Sequence, residues 1–361
     1  MTHPKFNEKE LKVVSEIPGF LPEMPSTPIY DFPVSPKEAF KLTMEKDPIW
    51  LIAGIGVEMG IFSPRIMPDN IARALVFEVE PLAPEDFGGK DMFGIEWEYI
   101  PIAQGSMVKP GNPFLEDANE WYDKVVWPDI NSWDWEGSAR KNKEFLNQGK
   151  WISPTILNGY YERLISFMDF DGAIMALIDE DQKKAVKDLF EKLTDLYIEI
   201  VDKMVEYYNV DGINVHDDWG SQRAPFFSPA TAMEMIVPAM KRLTDHIHSK
   251  GLYADLHSCG HLELQVPSII AAGWDSWNPQ AMNDTHMLYE KYGDQIVIGA
   301  IPDTFDPMTT PEDEQRAAAA KFVDEFCKPG KPSMFNMYGA GVMSPAYREE
   351  LYKRSRIKYS Q

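Results

Sequence analysis

The sequence contains few cysteines and few basic residues. Two of its 361 residues are cysteine, and 35 Lys and Arg are outnumbered by 57 Asp and Glu, which gives a formal net charge of −22. Two cysteines cannot build a disulfide framework, so a reducing compartment is expected. Nucleic acids, anionic lipid surfaces and polycarboxylate substrates are bound through clustered Lys and Arg. The sequence has no such cluster, so we expect no nucleic acid and no membrane among its partners.

Long apolar runs are also missing. No uninterrupted apolar stretch approaches the roughly 20 residues that span a bilayer, and the charged amino-terminal segment contains no apolar core of a secretory signal. These absences predict a soluble cytoplasmic protein. The glycine-rich loops that bind phosphate and the Gly-x-Ser-x-Gly elbow of serine hydrolases are lacking as well.

Apolar spacing in the second half of the chain predicts alternating helices and strands. Apolar residues recur every three or four positions from Lys184 to Tyr208, which predicts a long helix. The β-branched run 213–216 predicts a strand, and Ser228 predicts the cap of a helix that extends to Lys250. The alternation continues as strands over 253–256, 274–277, 295–300 and 333–337, and as helices over 262–272 (interrupted by Pro267), 285–292, 310–327 and from Pro345.

This alternation predicts an α/β fold, because neighbouring parallel strands need a crossover long enough to contain a helix. Five such strands, with an earlier one predicted at 48–53, favour a closed (β/α)8 TIM barrel over an open sheet. We interpret residues 1–361 as one domain, with an amino-terminal extension over 1–47 and an inserted loop region over 86–151.

The inserted region is rich in tryptophan. It contains six of the ten tryptophans: Trp97, Trp121, Trp127, Trp133, Trp135 and Trp151. One interpretation is a surface excursion anchored by aromatic side chains. The other is an aromatic wall over a planar substrate, for which indole rings offer a large contact area.

Polar clusters follow four of the predicted strands. The carboxyl ends of the strands surround the active site of a TIM barrel, so these clusters are expected to converge there. They are His216-Asp217-Asp218, His257-Ser258-Cys259, Asn278-Pro279-Gln280 and Pro302-Asp303-Thr304. Glu58 and Glu96 are further candidates from the amino-terminal half.

His257 and Cys259 form the most informative pair. Positions i and i+2 of an extended segment face the same side, so both can reach one ion. Imidazole and thiolate together favour Zn²⁺ over Mg²⁺ or Ca²⁺, and a third protein ligand is needed, for which Asp217 and Asp218 are candidates. The alternatives are a half-buried structural pair for His257 and Cys259, and helix capping or a hydrogen-bonded turn for the two aspartates. For His216 the alternative is a core histidine whose hydrogen bonds are satisfied. Cys327, at the end of a predicted helix, is interpreted as a bystander thiol.

The segment VHDDWGSQRAPFFSPATAMEMIVPAMKRLTDHIHSKGLYADLHSCGHLE resembles the uroporphyrinogen decarboxylase superfamily. The resemblance rests on a strand end of the form Asp-x-Trp-Gly, followed by a helix and by a strand that ends in His-x-Cys-Gly. It extends over most of the chain from about Pro48 and implies a single (β/α)8 barrel. Two chemistries occur in that superfamily: metal-free porphyrinogen decarboxylation, and zinc-dependent methyl exchange with a corrinoid protein.

Two further features bear on the choice between these branches. The decarboxylases resemble one another in a Trp-x-Met-Arg-Gln-Ala-Gly-Arg segment, whereas this chain reads IWLIAGIGVEMGIFSPR, with Glu58 and no arginine before Arg65. This difference favours the cobamide-dependent methyltransferase branch. Members of that branch usually supply a second cysteine in a Gly-Cys-Gly context, and the nearest match here has Ala340. Either Asp217, Glu96 or another oxygen or nitrogen donor then replaces that thiolate, or the zinc is absent.

The resemblance therefore implies zinc-assisted ether demethylation, in which a methyl group moves from a methoxylated compound, with an aromatic one favoured, to the Co(I) of a corrinoid protein. Zn²⁺ would be held by His257, Cys259 and Asp217, with catalytic roles for Asp217 and His257. The expected substrate-binding residues are Glu58, Glu96, Trp97, His216, Trp219 and Asn278. A metal-independent decarboxylase, a non-catalytic or corrinoid-binding barrel, and transfer from methylcorrinoid to a thiol stay open, as does homodimer formation.

Overall fold

The computed structural model describes residues 3–17, 26–53, 56–103 and 105–360. Its strands are β1 (Val13–Ile17), β2 (Thr27–Tyr30), β3 (Met59–Phe62), β4 (Gly89–Lys90), β5 (Glu96–Ile100), β6 (Gly105–Val108), β7 (Trp151–Ile156), β8 (Gly212–His216), β9 (Tyr253–His257), β10 (Ser276–Trp277), β11 (Val297–Ala300) and β12 (Ser333–Phe335). Its helices are α1 (Pro36–Met44), α2 (Pro68–Ala72), α3 (Trp121–Lys124), α4 (Trp135–Lys141), α5 (Lys143–Leu146), α6 (Tyr160–Ala176), α7 (Lys183–Tyr208), α8 (Pro229–Met235), α9 (Val237–Ser249), α10 (Val266–Ala271), α11 (Thr285–Tyr292), α12 (Glu312–Phe326) and α13 (Pro345–Tyr359). Among these helices, none combines the length and the apolar character that crossing a membrane requires.

The chain divides into two compact units. Unit 1 contains residues 1–60, 149–151 and 275–361, and unit 2 contains residues 61–148 and 152–274. Each unit has a run of parallel strands alternating with helices. The predicted α/β class is therefore confirmed.

Unit 1 is built around β10, β11 and β12, which pair in parallel. Helices α12 and α13 pack against each other and cover a core of aromatic and aliphatic side chains. Cys327 lies buried in this core as a free thiol at the end of α12, as expected for a bystander. Near the amino terminus, β1 and β2 form a separate antiparallel pair.

Unit 2 contains the strands that carry the polar clusters with histidine. Residues of β7 pair in parallel with β8, and β8 pairs in parallel with β9 along its whole length. The long helix α7 buries one face, as its apolar spacing predicts, and packs against α9. The register places His216 directly beside His257 at the carboxyl ends of β8 and β9.

The inserted region contains more regular structure than a surface loop. Strands β4, β5 and β6 form a three-stranded antiparallel sheet, and α3, α4 and α5 follow it. Trp97 and Trp135 are buried and donate their indole N–H groups to Asp91 and to the carbonyl oxygen of Ile130. Buried indoles therefore anchor this part of the chain.

Three predicted elements differ from the structure. The helix predicted to run on to Lys250 is interrupted at Ile236, because Pro238 lies in the first turn of a new helix and cannot donate to the carbonyl of the preceding turn. Pro267 lies in the first turn of α10 instead of interrupting a longer helix. The strand predicted at 48–53 is wrong: residues 48–53, all of which the structure describes, form no strand, and Ile52 makes an isolated bridge to Met334.

Gly260→Ala is expected to destabilise the protein by about 2 kcal/mol or more. Gly260 has a φ of +102°, and a β-carbon there would collide with the backbone of Gly220. Gly251→Ala is the matched control, because Gly251 has a φ of +73° with open space around the missing β-carbon. Urea unfolding gives the free energy of unfolding of both variants, and the difference between them measures the effect of the collision. Equal losses in the two variants would show that the Gly220 backbone can move aside without loss of stability.

Candidate metal site

The candidate site begins with two histidines at adjacent strand ends. His216 is the last residue of β8 and His257 the last residue of β9, and the pairing of these strands brings their rings together. The ring centroids lie 4.3 Å apart and the ring planes differ by 19°. Two imidazoles are thus presented side by side at the carboxyl edge of the strands.

A carboxylate and a thiol complete this group of donors. The donor atoms of His216, Asp218 and His257 all lie within 4.8 Å of one another. Asp218 Oδ1 is 4.0 Å from Nε2 of each histidine, and Cys259 Sγ is 3.2 Å from His257 Nε2. We call these four residues the donor cluster. The structure gives it two nitrogen donors, one oxygen donor and one sulfur donor.

Backbone contacts hold Asp218 in place. The backbone N–H of Cys259 donates to Asp218 Oδ1 at 2.6 Å, which ties the loop after β8 to the loop after β9. Gly220 and Gly260 lie against each other just beyond this contact, and side chains would prevent that approach. The Gly260 that follows Cys259 therefore allows Asp218 and Cys259 to meet.

Glu162 and Arg73 orient one of the histidines. Glu162, in the first turn of α6, contacts His216 Nδ1 at 2.6 Å, which leaves Nε2 facing Asp218. Arg73 Nη1 donates to the other oxygen of Glu162 at 2.7 Å. A carboxylate on the outer nitrogen of an imidazole is the usual partner of a metal-binding histidine, because it fixes the ring and its tautomer.

The site perturbs the ionisation of its own residues. Burial lowers the pKa of His257 to about 3, and the nearby His216 and Arg73 add to this effect. Burial also opposes protonation of His216, but Glu162 and Asp218 outweigh it and raise its pKa. For Asp218, burial is outweighed by the two histidines, and its pKa is lowered. A neutral His257 and an ionised Asp218 are the forms that bind a metal ion, whereas His216 and Cys259, whose pKa values are raised, must each lose a proton to bind one.

The charges around the cluster leave an excess of acid. The carboxylates of Asp69, Asp91, Glu162 and Asp218 outnumber the guanidinium groups of Arg73 and Arg163 by two. All six residues belong to unit 2, and the first three carboxylates are largely buried. An excess of acid favours a bound cation, so both the sign of the charge and the donor types fit a metal ion.

Asp217 lies outside the donor cluster, although the sequence analysis names it as a zinc ligand. Its carboxylate accepts hydrogen bonds from the backbone N–H groups of Tyr161 and Glu162 and from the indole N–H of Trp219. It is fully buried, and burial followed by the charge of Glu162 raises its pKa to about 7. Asp217 therefore caps the beginning of α6, which was the alternative interpretation of this aspartate, and Asp218 is the aspartate in the cluster.

The predicted substrate-binding residues of unit 2 occupy different environments. Trp219 is fully buried, and its backbone N–H donates to Ser258. Trp97 is buried on β5, with the Arg73 guanidinium carbon 5.1 Å from its ring centroid. Glu96 is exposed on the same strand, and His216 is in the donor cluster.

The other two predicted residues belong to unit 1. Glu58 is buried and accepts a hydrogen bond from Trp50 Nε1 at 3.1 Å. The amide oxygen of Asn278 lies so close to Gly299 that a β-carbon there would collide with it. Both residues thus have packing partners in their own unit.

Sequence reasoning missed Glu162 and Arg73. Glu162 follows β7, a strand that the apolar pattern did not predict. Without that strand, nothing in the sequence marked Glu162 as a residue near a strand end. Arg73 follows the short helix α2, which has no clear periodic pattern. They become recognisable only through their contact with each other and through the contact of Glu162 with His216.

Comparison with known families identifies the chain. The sequence profile described as "Uroporphyrinogen decarboxylase (URO-D)" matches residues 165–349, which is just over half of the chain. The chain belongs to the uroporphyrinogen decarboxylase family. The match spans His216, Asp218, His257 and Cys259, so all four residues of the donor cluster lie within the family region.

The other comparisons add little. One similar solved structure is the IOLI protein with a binding zinc atom, at 12% identity over 62% of this chain and 80% of that chain, with a TM-score of 0.29. Another is D-psicose 3-epimerase in the presence of D-fructose, at 10% identity over 68% of this chain and 86% of that chain, with a TM-score of 0.28. Both TM-scores are too low to inform the chemistry of this chain. A search of the curated proteins finds no match.

Proposed function

We propose that this protein is a zinc-dependent methyltransferase of the uroporphyrinogen decarboxylase family. It transfers a methyl group from a methoxylated compound, with an aromatic ring favoured, to the Co(I) of a corrinoid carried by a partner protein. The (β/α)8 barrel that the family implies is part of this proposal. The observation that carries it is the donor cluster of His216, Asp218, His257 and Cys259 at the ends of adjacent strands.

The donor types favour zinc among the common divalent metals. Imidazole and thiolate bind Zn²⁺ well, whereas Mg²⁺ and Ca²⁺ prefer oxygen ligands throughout. His216, Asp218, His257 and Cys259 would hold the ion, and substrate would bind at a coordination position that one of them vacates or leaves open. When bound, zinc supplies Lewis acidity to the ether oxygen of the substrate.

The residues of the chain prepare this site for methyl transfer. Breaking the methyl C–O bond leaves its electron pair on the substrate oxygen, so positive charge is needed beside that oxygen. His216 and His257 can bind a cation without cancelling its charge, because neutral imidazole adds none. Asp218 would supply an oxygen donor in place of the second thiolate that the resemblance implies, and it is a harder and less polarisable donor. Such a donor set favours activation of an ether oxygen.

Metal analysis and a methyl-transfer assay test the proposal. Protein purified without chelator is expected to contain about one zinc per chain by elemental mass spectrometry. With reduced corrinoid protein and a panel of methoxyarenes, it is expected to produce the absorbance change of methylcobalamin formation. Removal of zinc by a chelator should abolish the change, and added zinc should restore it.

Other outcomes would contradict the proposal. Protein that binds no zinc but releases CO₂ from a porphyrinogen would be a metal-independent decarboxylase. Zinc binding without methyl transfer from any methoxyarene, together with methylation of a thiol by methylcorrinoid, would show that transfer runs to a thiol. Corrinoid binding without any transfer would indicate a corrinoid-binding protein without catalytic activity.

A further inference from the structure

Arg73 connects the donor cluster to the inserted region. It follows α2, is buried, and donates from one nitrogen, Nη1, to three oxygens. These are the carbonyl oxygen of Leu157 at 3.2 Å, Asn158 Oδ1 at 2.7 Å and Glu162 Oε1 at 2.7 Å. Arg73 therefore sets the position of the carboxylate that orients His216.

Arg73 is one member of a closed circuit of contacts. Asn158 Nδ2 donates to Asp69 at 3.0 Å, and Asp69 is paired with the fully buried Arg163. Arg163 Nη1 donates to Asp91 Oδ2 at 2.6 Å, and Trp97 Nε1 donates to the same oxygen at 3.0 Å.

The ring of Trp97 closes the circuit over the Arg73 guanidinium group. Asp91 and Trp97 both belong to the inserted region, Trp97 on β5 and Asp91 between β4 and β5, and the backbone N–H of Met92 donates to Asp69. The inserted region is thus joined to the Arg73 side of the site by charge-assisted hydrogen bonds and by cation–π contacts of Arg73 with Trp97 and of Arg163 with Phe93.

We propose that Arg73 is a positioning residue, which holds Glu162 and through it His216 in the geometry that binds the metal ion. The inserted sheet β4–β6 contributes the Trp97 ring that packs against Arg73. This inference rests on the proposed zinc site, and it adds that the inserted region helps to determine the strength of metal binding. Within the described part of the chain, Arg73 forms no hydrogen bond or ion pair with the four donor residues, so its effect on them passes through Glu162.

Arg73 matters for metal binding because the Glu162 side chain would be free to move without it. A carboxylate held only by His216 can rotate away or attract water, and His216 then loses the fixed ring orientation that coordination requires. Removal of Arg73 would also take one hydrogen-bond partner from Asn158, which is linked to Asp69 and, through Arg163, to Asp91. Zinc affinity should therefore fall, although all four donor residues are still present.

Zinc affinity and cobalt spectroscopy test this role. The dissociation constant of zinc is measured by competition with a chromophoric chelator for the wild type, Arg73→Met and Glu162→Gln. Both variants are expected to bind zinc about 10–100-fold more weakly. Protein loaded with Co²⁺ in place of zinc should show an altered visible absorption spectrum in both variants, because the spectrum reports the ligand geometry. Trp97→Leu, which removes the ring over Arg73, should give a smaller loss of affinity.

Arg65→Met is the matched control. Arg65 pairs with Glu78, which is as buried as Glu162 and lies in the same unit, but this pair does not contact His216. Its zinc affinity and cobalt spectrum should match the wild type even if its unfolding midpoint falls. Circular dichroism verifies that each variant is folded, and Arg73→Lys replaces Arg73→Met if the latter is not.

The outcomes separate this inference from the proposed function. Wild-type affinity and an unchanged cobalt spectrum in folded Arg73→Met and Glu162→Gln would overturn the positioning role while leaving the zinc site intact. An equal loss of affinity in Arg65→Met would also overturn it, because the effect would then be general destabilisation. If the wild type itself binds no zinc, the proposed function fails, and the positioning role fails with it.

Discussion

His257→Ala is expected to lower zinc affinity by about 10²–10³-fold and to abolish methyl transfer to the corrinoid. Structural zinc sites have apparent binding free energies of about 10–16 kcal/mol, so one ligand of four accounts for roughly 2.5–4 kcal/mol. His257 is central to the cluster, since Asp218 and Cys259 both lie beside its Nε2. Competition titration with a chromophoric chelator measures the affinity, and the cobalamin absorbance measures the transfer.

His246→Ala provides the matched control for this prediction. His246 lies on α9 in the same unit and pairs with Asp202 at 2.8 Å, away from the donor cluster. Zinc stoichiometry and methyl transfer should therefore stay at the wild-type level. A His257→Ala protein that is folded and retains wild-type zinc affinity would show that the ion binds elsewhere.

Arg163→Met is expected to lower the free energy of unfolding by about 3–5 kcal/mol. The Arg163 side chain is fully buried and pairs with both Asp69 and Asp91. Methionine fills much of the same volume, but it leaves two buried carboxylates facing each other without a cation. The loss is measured as the change in the midpoint of urea unfolding at constant slope.

The loss in Arg163→Met should depend on pH. Burial already raises the pKa of Asp69 in the wild type, and Arg163 opposes that shift. Without the guanidinium group the pKa in the folded state rises further above the unfolded value. Such a carboxyl group destabilises the fold fully at pH values above its pKa in the folded state, and the penalty declines as the pH falls from there toward its pKa in the unfolded state. The deficit relative to the wild type should therefore shrink as the pH falls from 8 toward about 5.

Arg242→Met tests whether burial is the cause. Arg242 also pairs with two carboxylates, Glu191 and Asp195, but its side chain is 42% exposed. Ion pairs of that kind contribute about 0–1 kcal/mol, so the variant should unfold close to the wild-type midpoint. Similar losses for Arg242→Met and Arg163→Met would show that burial of the Arg163 pairs adds nothing.

The positions of the main helices and strands could be predicted from the sequence. The helix α7 has apolar residues on one face over its whole length, and α11 matches its predicted bounds, because amphipathic spacing is a local property. The predicted strand at 48–53 failed, because a run of apolar residues there packs into the core of unit 1 without pairing as a strand. Such a run is compatible with either outcome until its neighbours are known.

The candidate site could be predicted only in part. His257 and Cys259 were recognisable because they are two residues apart at a strand end. The choice between Asp217 and Asp218 was not, because adjacent residues in a loop can point in different directions. In the structure, the amino-terminal N–H groups of α6 and the indole of Trp219 hold Asp217, whereas the backbone of Cys259 holds Asp218.

The sequence by itself determined the acidic character of the protein, the alternation of strands and helices, and the pair of candidate ligands after one strand. These follow from composition and from spacing along the chain. Only the tertiary structure decided which aspartate joins them, and that Glu162 and Arg73 belong to the same site. Arg73 and Glu162 are 89 positions apart, and a contact over that separation forms only when the fold brings two elements together, a relation that no local pattern contains.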